Sequence, residues 1–94
     1  MTFEDTVTFE ALVEVRLRPG IADPQGTTIE RALPALGFET ISGVRSGKAF
    51  RLTVEATDED KAREQVEELC RRFLTNPVIE DSVVTIEVRP PAAG

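Results

Sequence analysis

The sequence lacks the side chains that most often carry out catalysis. Its 94 residues include no histidine, no tryptophan, no tyrosine and a single cysteine. Without histidine, the chain has neither the usual general base near neutral pH nor the commonest metal ligand. One cysteine cannot form an intrachain disulfide, which is consistent with a cytoplasmic protein. We therefore expect no catalytic residue in this chain, and neither a metal nor a cofactor bound by it.

Basic charge and long apolar runs are also scarce. The chain carries 17 acidic and 11 basic residues, for a formal net charge of −6. Nucleic acids and anionic membranes are bound by clusters of Lys and Arg. No run approaches the roughly 18 apolar residues of a membrane-spanning helix, and the first residues lack a signal-peptide pattern. We expect neither nucleic acid nor a membrane as a partner, and a cytoplasmic location.

The clearest pattern lies between Val7 and Leu17, where every second residue is apolar and the residues between are mostly polar. This alternation predicts one long strand with a buried and a solvated face. Eleven residues span about 37 Å in a strand, whereas the common strand is about 5–6 residues long. Because such a strand can outrun the sheet of a small domain, we expect dimerisation through the sheet.

The following residues predict two helices and three further strands. Asp23-Pro24 marks the start of the first helix, and Pro34 predicts its kink or early end. Residues 38–45 and 48–56 predict two strands joined at Ser46-Gly47, the second helix follows from residue 57, and the last strand covers residues 82–89. The predicted apolar positions of the helices are Ile29, Ala32, Leu33 and Leu36 in the first, and Ala62, Val66, Leu69, Cys70, Phe73 and Leu74 in the second.

The order β-α-β-β-α-β predicts an α+β fold with a mainly antiparallel sheet and two helices packed on one face. Residues 1–94 form a single domain in this prediction. Its core covers about residues 6–89, and residues 1–5 and 90–94 are flexible ends.

Three short motifs lie outside the apolar pattern. In Asp23-Pro24-Gln25-Gly26, the glycine costs about 1 kcal/mol relative to alanine inside a helix, which indicates a close backbone approach. Val44-Arg45-Ser46-Gly47-Lys48 places two cations in the predicted turn, which either remain solvated or meet an acidic surface on a partner. Asn76-Pro77 ends the second helix.

Together with the long first strand, these motifs resemble the PurS family, the small subunit of phosphoribosylformylglycinamidine synthase. The third matching stretch runs from residue 74 to residue 81, and the resemblance covers about residues 8–89. Pro34, the extra N-terminal residues and the Pro-Pro tail depart from the family pattern.

The resemblance implies a non-catalytic subunit that forms a dimer or tetramer. It would bridge the large synthetase subunit PurL and the glutaminase subunit PurQ, and support ammonia transfer between them. The assembled enzyme of purine biosynthesis uses glutamine, ATP and magnesium to convert formylglycinamide ribonucleotide to formylglycinamidine ribonucleotide. Under this hypothesis Asn76 and Pro77 form a structural corner, and the partner contacts are made by Asp23, Gln25, Gly26, Arg45, Gly47 and Lys48.

A second hypothesis comes from another functional class. A domain with the same order of elements could bind an amino acid or a similar effector at a dimer interface and act as a sensor. The same motifs would then line a ligand pocket.

Overall fold

A computed structural model describes residues 6–88. It contains a three-stranded antiparallel sheet of β1 (Val7–Leu17), β2 (Gly47–Ala56) and β3 (Glu80–Val88), in the order β2-β1-β3. Helix α1 (Pro24–Ala32) connects β1 to β2, and helix α2 (Glu59–Leu69) connects β2 to β3. The predicted α+β class, antiparallel sheet and two helices are confirmed. Neither described helix is long and apolar enough to cross a membrane.

Strand β1 has the bounds that its alternation predicted, and it is the central strand. It pairs with β2 from Val7 to Arg16 and with β3 from Phe9 to Leu17. Both edges of β1 are therefore paired with strands of the same chain, so its length is not evidence for dimerisation. In the described residues, the unpaired edges of the sheet belong to β2 and β3.

Helix α2 packs on the face of the sheet to which the apolar side chains of β1 point. Val13, Val15 and Val66 are the largest fully buried side chains. The whole buried apolar set is Phe9, Ala11, Val13, Val15, Ala56, Ala62, Val66, Cys70 and Ile86. Arg63 on α2 also donates a hydrogen bond of 2.9 Å to the Val84 carbonyl of β3, which places the helix close to that strand.

After Leu69 the helix widens into a π-helical turn, Cys70–Leu74, closed by a 3.0 Å hydrogen bond from the Thr75 N–H to the Cys70 carbonyl. A π-turn holds more residues than an α-turn, and so changes which side chains face the sheet. Leu74 is half-buried, whereas Phe73 is 81% exposed and Leu69 is 38% exposed. Phe73 and Leu69 are therefore wrong as predicted core positions.

Residues 38–45 do not form the predicted strand, and the hairpin at Ser46-Gly47 is absent. Gly43 has a φ of +70°, which interrupts an extended backbone. The Val44 N–H donates a 3.0 Å hydrogen bond to the Glu30 carboxylate on α1, instead of joining a sheet ladder. The segment is thus tied to α1, and β2 begins only at Gly47.

Pro34 ends α1 early, as predicted. The helix stops at Ala32, a 3-10 turn covers Pro34–Leu36, and Gly37 closes it with a φ of +93°. Only Gly26 is buried in α1, so this helix packs far less than the two-helix layer predicts. The predicted flexible ends, residues 1–5 and 90–94, and residue 89 of the predicted last strand lie outside the described residues.

Candidate functional site

Three connections meet at one end of the sheet. Because β2 and β3 are both antiparallel to β1, the end of β1 lies beside the starts of the other two strands. Arg16 accordingly pairs with Gly47 on one side and with Asp81 on the other. We call this end, comprising residues 18–26, 44–48 and 76–81, the junction. It contains all eight residues that the sequence predicted as contacts or corner.

Asp23 fixes the start of α1 to the segment before β2. Its carboxylate accepts hydrogen bonds from the Gly26 N–H at 3.0 Å, the Ser46 N–H at 2.6 Å and the Ser46 hydroxyl at 2.6 Å. The Arg45 guanidinium lies 4.0 Å from the same carboxylate. Asp23 is 7% exposed, the one buried charged residue in residues 6–88. The cap predicted from Asp23-Pro24 is present, and it also joins two distant segments.

These contacts lower the pKa of Asp23 from 3.8 to about 2. The hydrogen bond from the Ser46 hydroxyl has the largest effect, followed by those from the Ser46 and Gly26 N–H groups. Burial acts in the opposite direction, and the Arg45 charge adds a smaller lowering. Three hydrogen bonds to the charged form thus keep this carboxylate ionised over the physiological pH range.

Two glycines allow the segments of the junction to approach closely. A Cβ at Gly26 would lie 2.6 Å from Asp23 Oδ2 and 2.7 Å from the Val44 carbonyl oxygen. A Cβ at Gly47 would lie 2.7 Å from the Val15 carbonyl oxygen. The sequence predicted a close approach at Gly26, and the approaching atoms belong to the same chain.

Glu80 and Asp81 hold the other side of the junction. The Glu80 carboxylate accepts a 2.8 Å hydrogen bond from the Asn76 N–H and lies 3.8 Å from the Lys48 ammonium. Arg18 lies 3.3 Å from the Asp81 carboxylate. The Asn76 side chain accepts a 3.1 Å hydrogen bond from the Val78 N–H, so Asn76 and Pro77 lie in a tight turn just before β3.

The six predicted contact residues therefore fall into two groups. Asp23, Gly26 and Gly47 meet atoms of their own chain. Gln25, Arg45 and Lys48 are exposed, and the last two have side chains that are 49% and 60% exposed.

Two cavities open to solvent border the junction, one of about 160 Å³ between Gln25, Lys48 and Glu80, and one of about 380 Å³ lined in part by Arg45 and Gly47. Ligand pockets usually measure about 300–1,000 Å³. In residues 6–88, no group of three or more acidic or cysteine side chains is arranged to hold a metal ion. The junction thus presents polar groups on a surface and has no enclosed reaction site.

Sequence reasoning missed Ser46 and Arg18 as parts of the junction. The sequence pattern places Ser46 in a turn, and nothing in the spacing connects it to Asp23, which precedes it by 23 residues. Arg18 follows the first strand directly, and the sequence pattern assigns it no contact. The contacts of both residues depend on the antiparallel pairing, which brings the three connections together.

The comparison with known families agrees with this architecture. Residues 10–88 match the family model PurS, described as phosphoribosylformylglycinamidine (FGAM) synthase. The chain belongs to the PurS family. Members of this family are subunits of FGAM synthase, a ligase. The suspected resemblance is therefore confirmed over most of the chain.

Individual PurS proteins show the same relationship. The PurS subunit of Methanocaldococcus jannaschii is 39% identical over 79 residues, which cover 84% of this chain and 95% of that protein. The PurS subunit of Mycobacterium leprae is 44% identical over 77 residues, which cover 82% of this chain and 94% of that protein.

Solved PurS structures have the same fold. The crystal structure of PurS from Thermotoga maritima has a TM-score of 0.81 at 35% identity, covering 87% of this chain and 94% of that one. A chain of the PurLQS structure from the same organism has a TM-score of 0.79 at 36% identity, and the match covers 85% of this chain and 98% of that one.

The lowered pKa of Asp23 predicts a specific dependence of stability on pH. Because the pKa is lower in the folded chain, the carboxylate stabilises the fold fully above about pH 4, and this contribution is lost as the pH falls toward 2. In Asp23→Asn the group does not titrate. Urea unfolding between pH 6 and 2 should show the stability gap between wild type and variant narrowing below pH 4. A gap that stays constant over this range would contradict the assignment.

Gly26→Ala should lower stability, although alanine normally stabilises a helix by about 1 kcal/mol relative to glycine. The added methyl group would overlap the Val44 carbonyl oxygen and the Asp23 carboxylate. Overpacking of this kind costs about 1–3 kcal/mol. Thr28→Ala, at an exposed position of the same helix, is the matched control and should change the free energy of unfolding by less than about 0.5 kcal/mol. Urea denaturation of both variants checks this, and a stabilised Gly26→Ala would contradict it.

Proposed function

We propose that this chain is the non-catalytic PurS subunit that bridges PurL and PurQ in FGAM synthase and supports ammonia transfer between them. The observation that carries the proposal is the match between 85% of this chain and 98% of a chain in the PurLQS structure. The junction agrees with such a role, because it combines exposed polar groups with internal bonds that fix their positions.

The proposed docking residues are Gln25, Arg45 and Lys48. Asp23, Gly26 and Gly47 contribute by holding the backbone that carries them, and Asn76 and Pro77 shape the corner beside them. A surface that is already fixed before binding loses less conformational entropy in the complex. Exposed charges in such a surface mainly orient the partners and speed their association.

The chain also associates with itself in this proposal, as a dimer or tetramer. Two sheet edges, β2 and β3, have no strand beside them in the described chain. Exposed edges pair readily with another chain unless something blocks them. Several large apolar side chains are exposed as well, including Phe73 and Val78.

ATP and magnesium belong to the other subunits of the proposed complex, which works in the cytoplasm on purine biosynthesis. The net charge of −6 argues against nucleic acid and anionic membranes as partners. The effector-sensing alternative is not favoured, because the family match is to a synthase subunit.

Reconstitution with the PurL and PurQ subunits of the same organism tests the bridging role. We expect glutamine-dependent formation of the amidine product to require this chain. Activity with added ammonia should not require it, because ammonia bypasses the glutaminase. If glutamine-dependent activity and co-elution of the subunits are both unchanged when the chain is left out, the proposal is wrong.

The double variant Arg45→Gln and Lys48→Gln tests the docking surface. It removes both cations, and it keeps long polar side chains beside Asp23 and Glu80. We expect an unchanged circular dichroism spectrum, and binding to PurL and PurQ weakened by about tenfold, or about 1.4 kcal/mol.

Arg51→Gln with Lys61→Gln is the matched control for that variant. It removes the same charge from two exposed positions outside the junction. Equal binding losses for the two double variants, measured by titration at fixed salt, would assign the effect to net charge and exclude the junction as the docking surface.

A further inference from the structure

The connection between α2 and β3 exposes two large apolar side chains. Phe73 is 81% exposed and Val78 is 79% exposed, more than any other large apolar side chain in residues 6–88. Two cations, Arg71 and Arg72, come directly before Phe73. We call these four residues, Arg71, Arg72, Phe73 and Val78, the turn patch.

The π-turn at the end of α2 directs Phe73 away from the core. Regular helical spacing after Val66 and Cys70 would point Phe73 toward the sheet. The Thr75 N–H instead bonds to the Cys70 carbonyl five residues earlier, so the turn holds more residues than an α-helical turn. Leu74 thereby takes the half-buried position. Turns of this kind are rare and frequently occur at functional sites.

The tight turn before β3 holds Val78 in position. The Asn76 side chain accepts a 3.1 Å hydrogen bond from the Val78 N–H. The Asn76 carbonyl accepts two more, from the Ile79 N–H at 3.1 Å and the Glu80 N–H at 2.8 Å. Because these bonds already fix the turn, little conformational entropy is lost when a partner covers Val78.

Phe73 and Val78 are close enough to contact the same partner. Five residues of extended chain span at most about 18 Å, and the π-turn and the tight turn shorten this distance. A standard interface covers about 800 Å² of each protein, or about 32 Å across. Residues 76–81 also belong to the junction, so the turn patch continues the surface on which Lys48 lies beside Glu80.

The turn patch is positive, although the chain as a whole is negative. From residue 69 to residue 79 the sequence contains Arg71, Arg72 and no acidic residue, whereas the net charge of the chain is −6. The two guanidinium groups share one carboxylate, Glu68, at 2.6 and 3.8 Å, and the arginine side chains are 65% and 77% exposed. A surface that carries carboxylates is therefore complementary to this patch.

Phe73 and Val78 are also available for self-association, but the cations disfavour a contact of the turn patch with itself. A two-fold contact of this kind sets the same surface of both copies face to face. Arg71 and Arg72 would then meet the same two cations of the second copy, and like charges brought together weaken an interface. The charge of the patch thus favours a different protein.

We propose that Phe73 anchors this chain to another subunit of the synthase by inserting into an apolar pocket that is bordered by carboxylates. Val78 packs beside the pocket, and Arg71 and Arg72 face the carboxylates. Buried aromatic side chains surrounded by a rim that excludes water commonly dominate the affinity of an interface. The contact depends on the bridging role proposed above.

Phe73→Ala tests the anchor. Phe73 is largely exposed, so the variant should keep the wild-type circular dichroism spectrum. We expect its dissociation constant for a mixture of PurL and PurQ to rise about thirtyfold, as for an aromatic hot spot. Val78→Ala should raise the constant about fivefold. Val88→Ala is the matched control, because Val88 is 59% exposed at the opposite end of β3, and it should bind like the wild type.

The outcomes separate this contact from the bridging role. If the wild type binds neither PurL nor PurQ, the bridging role fails and the anchor fails with it. If the complex forms and Phe73→Ala binds as tightly as the wild type, the anchor is wrong and the bridging role remains. If Phe73→Ala weakens only the self-association of the chain, a second copy covers the patch, which also overturns the proposal.

Arg71→Gln with Arg72→Gln tests the carboxylates of the pocket. We expect a rise of about tenfold in the dissociation constant at low salt and a smaller rise at high salt, because salt screens exposed charges. Arg71→Lys with Arg72→Lys keeps both charges and should bind like the wild type. Unchanged binding of the glutamine variant, or an equal loss in the lysine variant, would exclude a carboxylate border.

A photo-reactive side chain at position 73 identifies the pocket itself. With p-benzoylphenylalanine in place of Phe73, irradiation of the reconstituted complex should join this chain to PurL or PurQ, at a segment of apolar residues with Asp or Glu nearby. The same side chain at position 88 is the control and should not label that segment. Labelling of a second copy, labelling of a basic segment, or no labelled product would overturn the proposal.

Discussion

The structure depends on the pairing of β1 along both of its edges. Because β2 and β3 are both antiparallel to it, their first residues are brought to the place where β1 ends. This pairing alone makes neighbours of the connections that contain Asp23, Ser46 and Glu80, which are far apart in sequence. The same pairing directs the apolar side of β1 toward α2, so one strand organises both the core and the junction.

Much of the fold follows from local patterns. The alternation in Val7–Leu17 fixed the bounds of β1, and Asp23-Pro24 and Pro34 fixed those of α1 closely, because each residue acts on the backbone beside it. The apolar spacing correctly placed Ala62, Val66 and Cys70 in the core, and incorrectly placed Leu69 there. From Cys70 to Leu74 the chain forms a π-turn, which holds more residues than an α-helical turn and leaves Phe73 exposed. A pattern based on 3.6 residues per turn does not predict this exposure.

The remaining errors come from contacts distant in sequence. Residues 38–45 have apolar side chains suited to a strand, yet the Val44 N–H bonds to Glu30, and Gly43 bends the chain. For the candidate site, the sequence predicted the cap at Asp23 and a close approach at Gly26, but not the distant groups that these residues contact. These groups are on Ser46 and Val44, which belong to a segment whose position depends on the sheet.

The internal bonds of the junction also connect α1 to the proposed docking cations. Asp23 and Glu30 hold α1 to the segment from Val44 to Ser46, and Arg45 and Lys48 lie within or beside that segment. The direction of α1 and the position of the proposed docking cations are therefore set by the same short piece of backbone. A substitution that breaks the Asp23–Ser46 or the Glu30–Val44 bond should therefore disturb α1 and the proposed docking cations together.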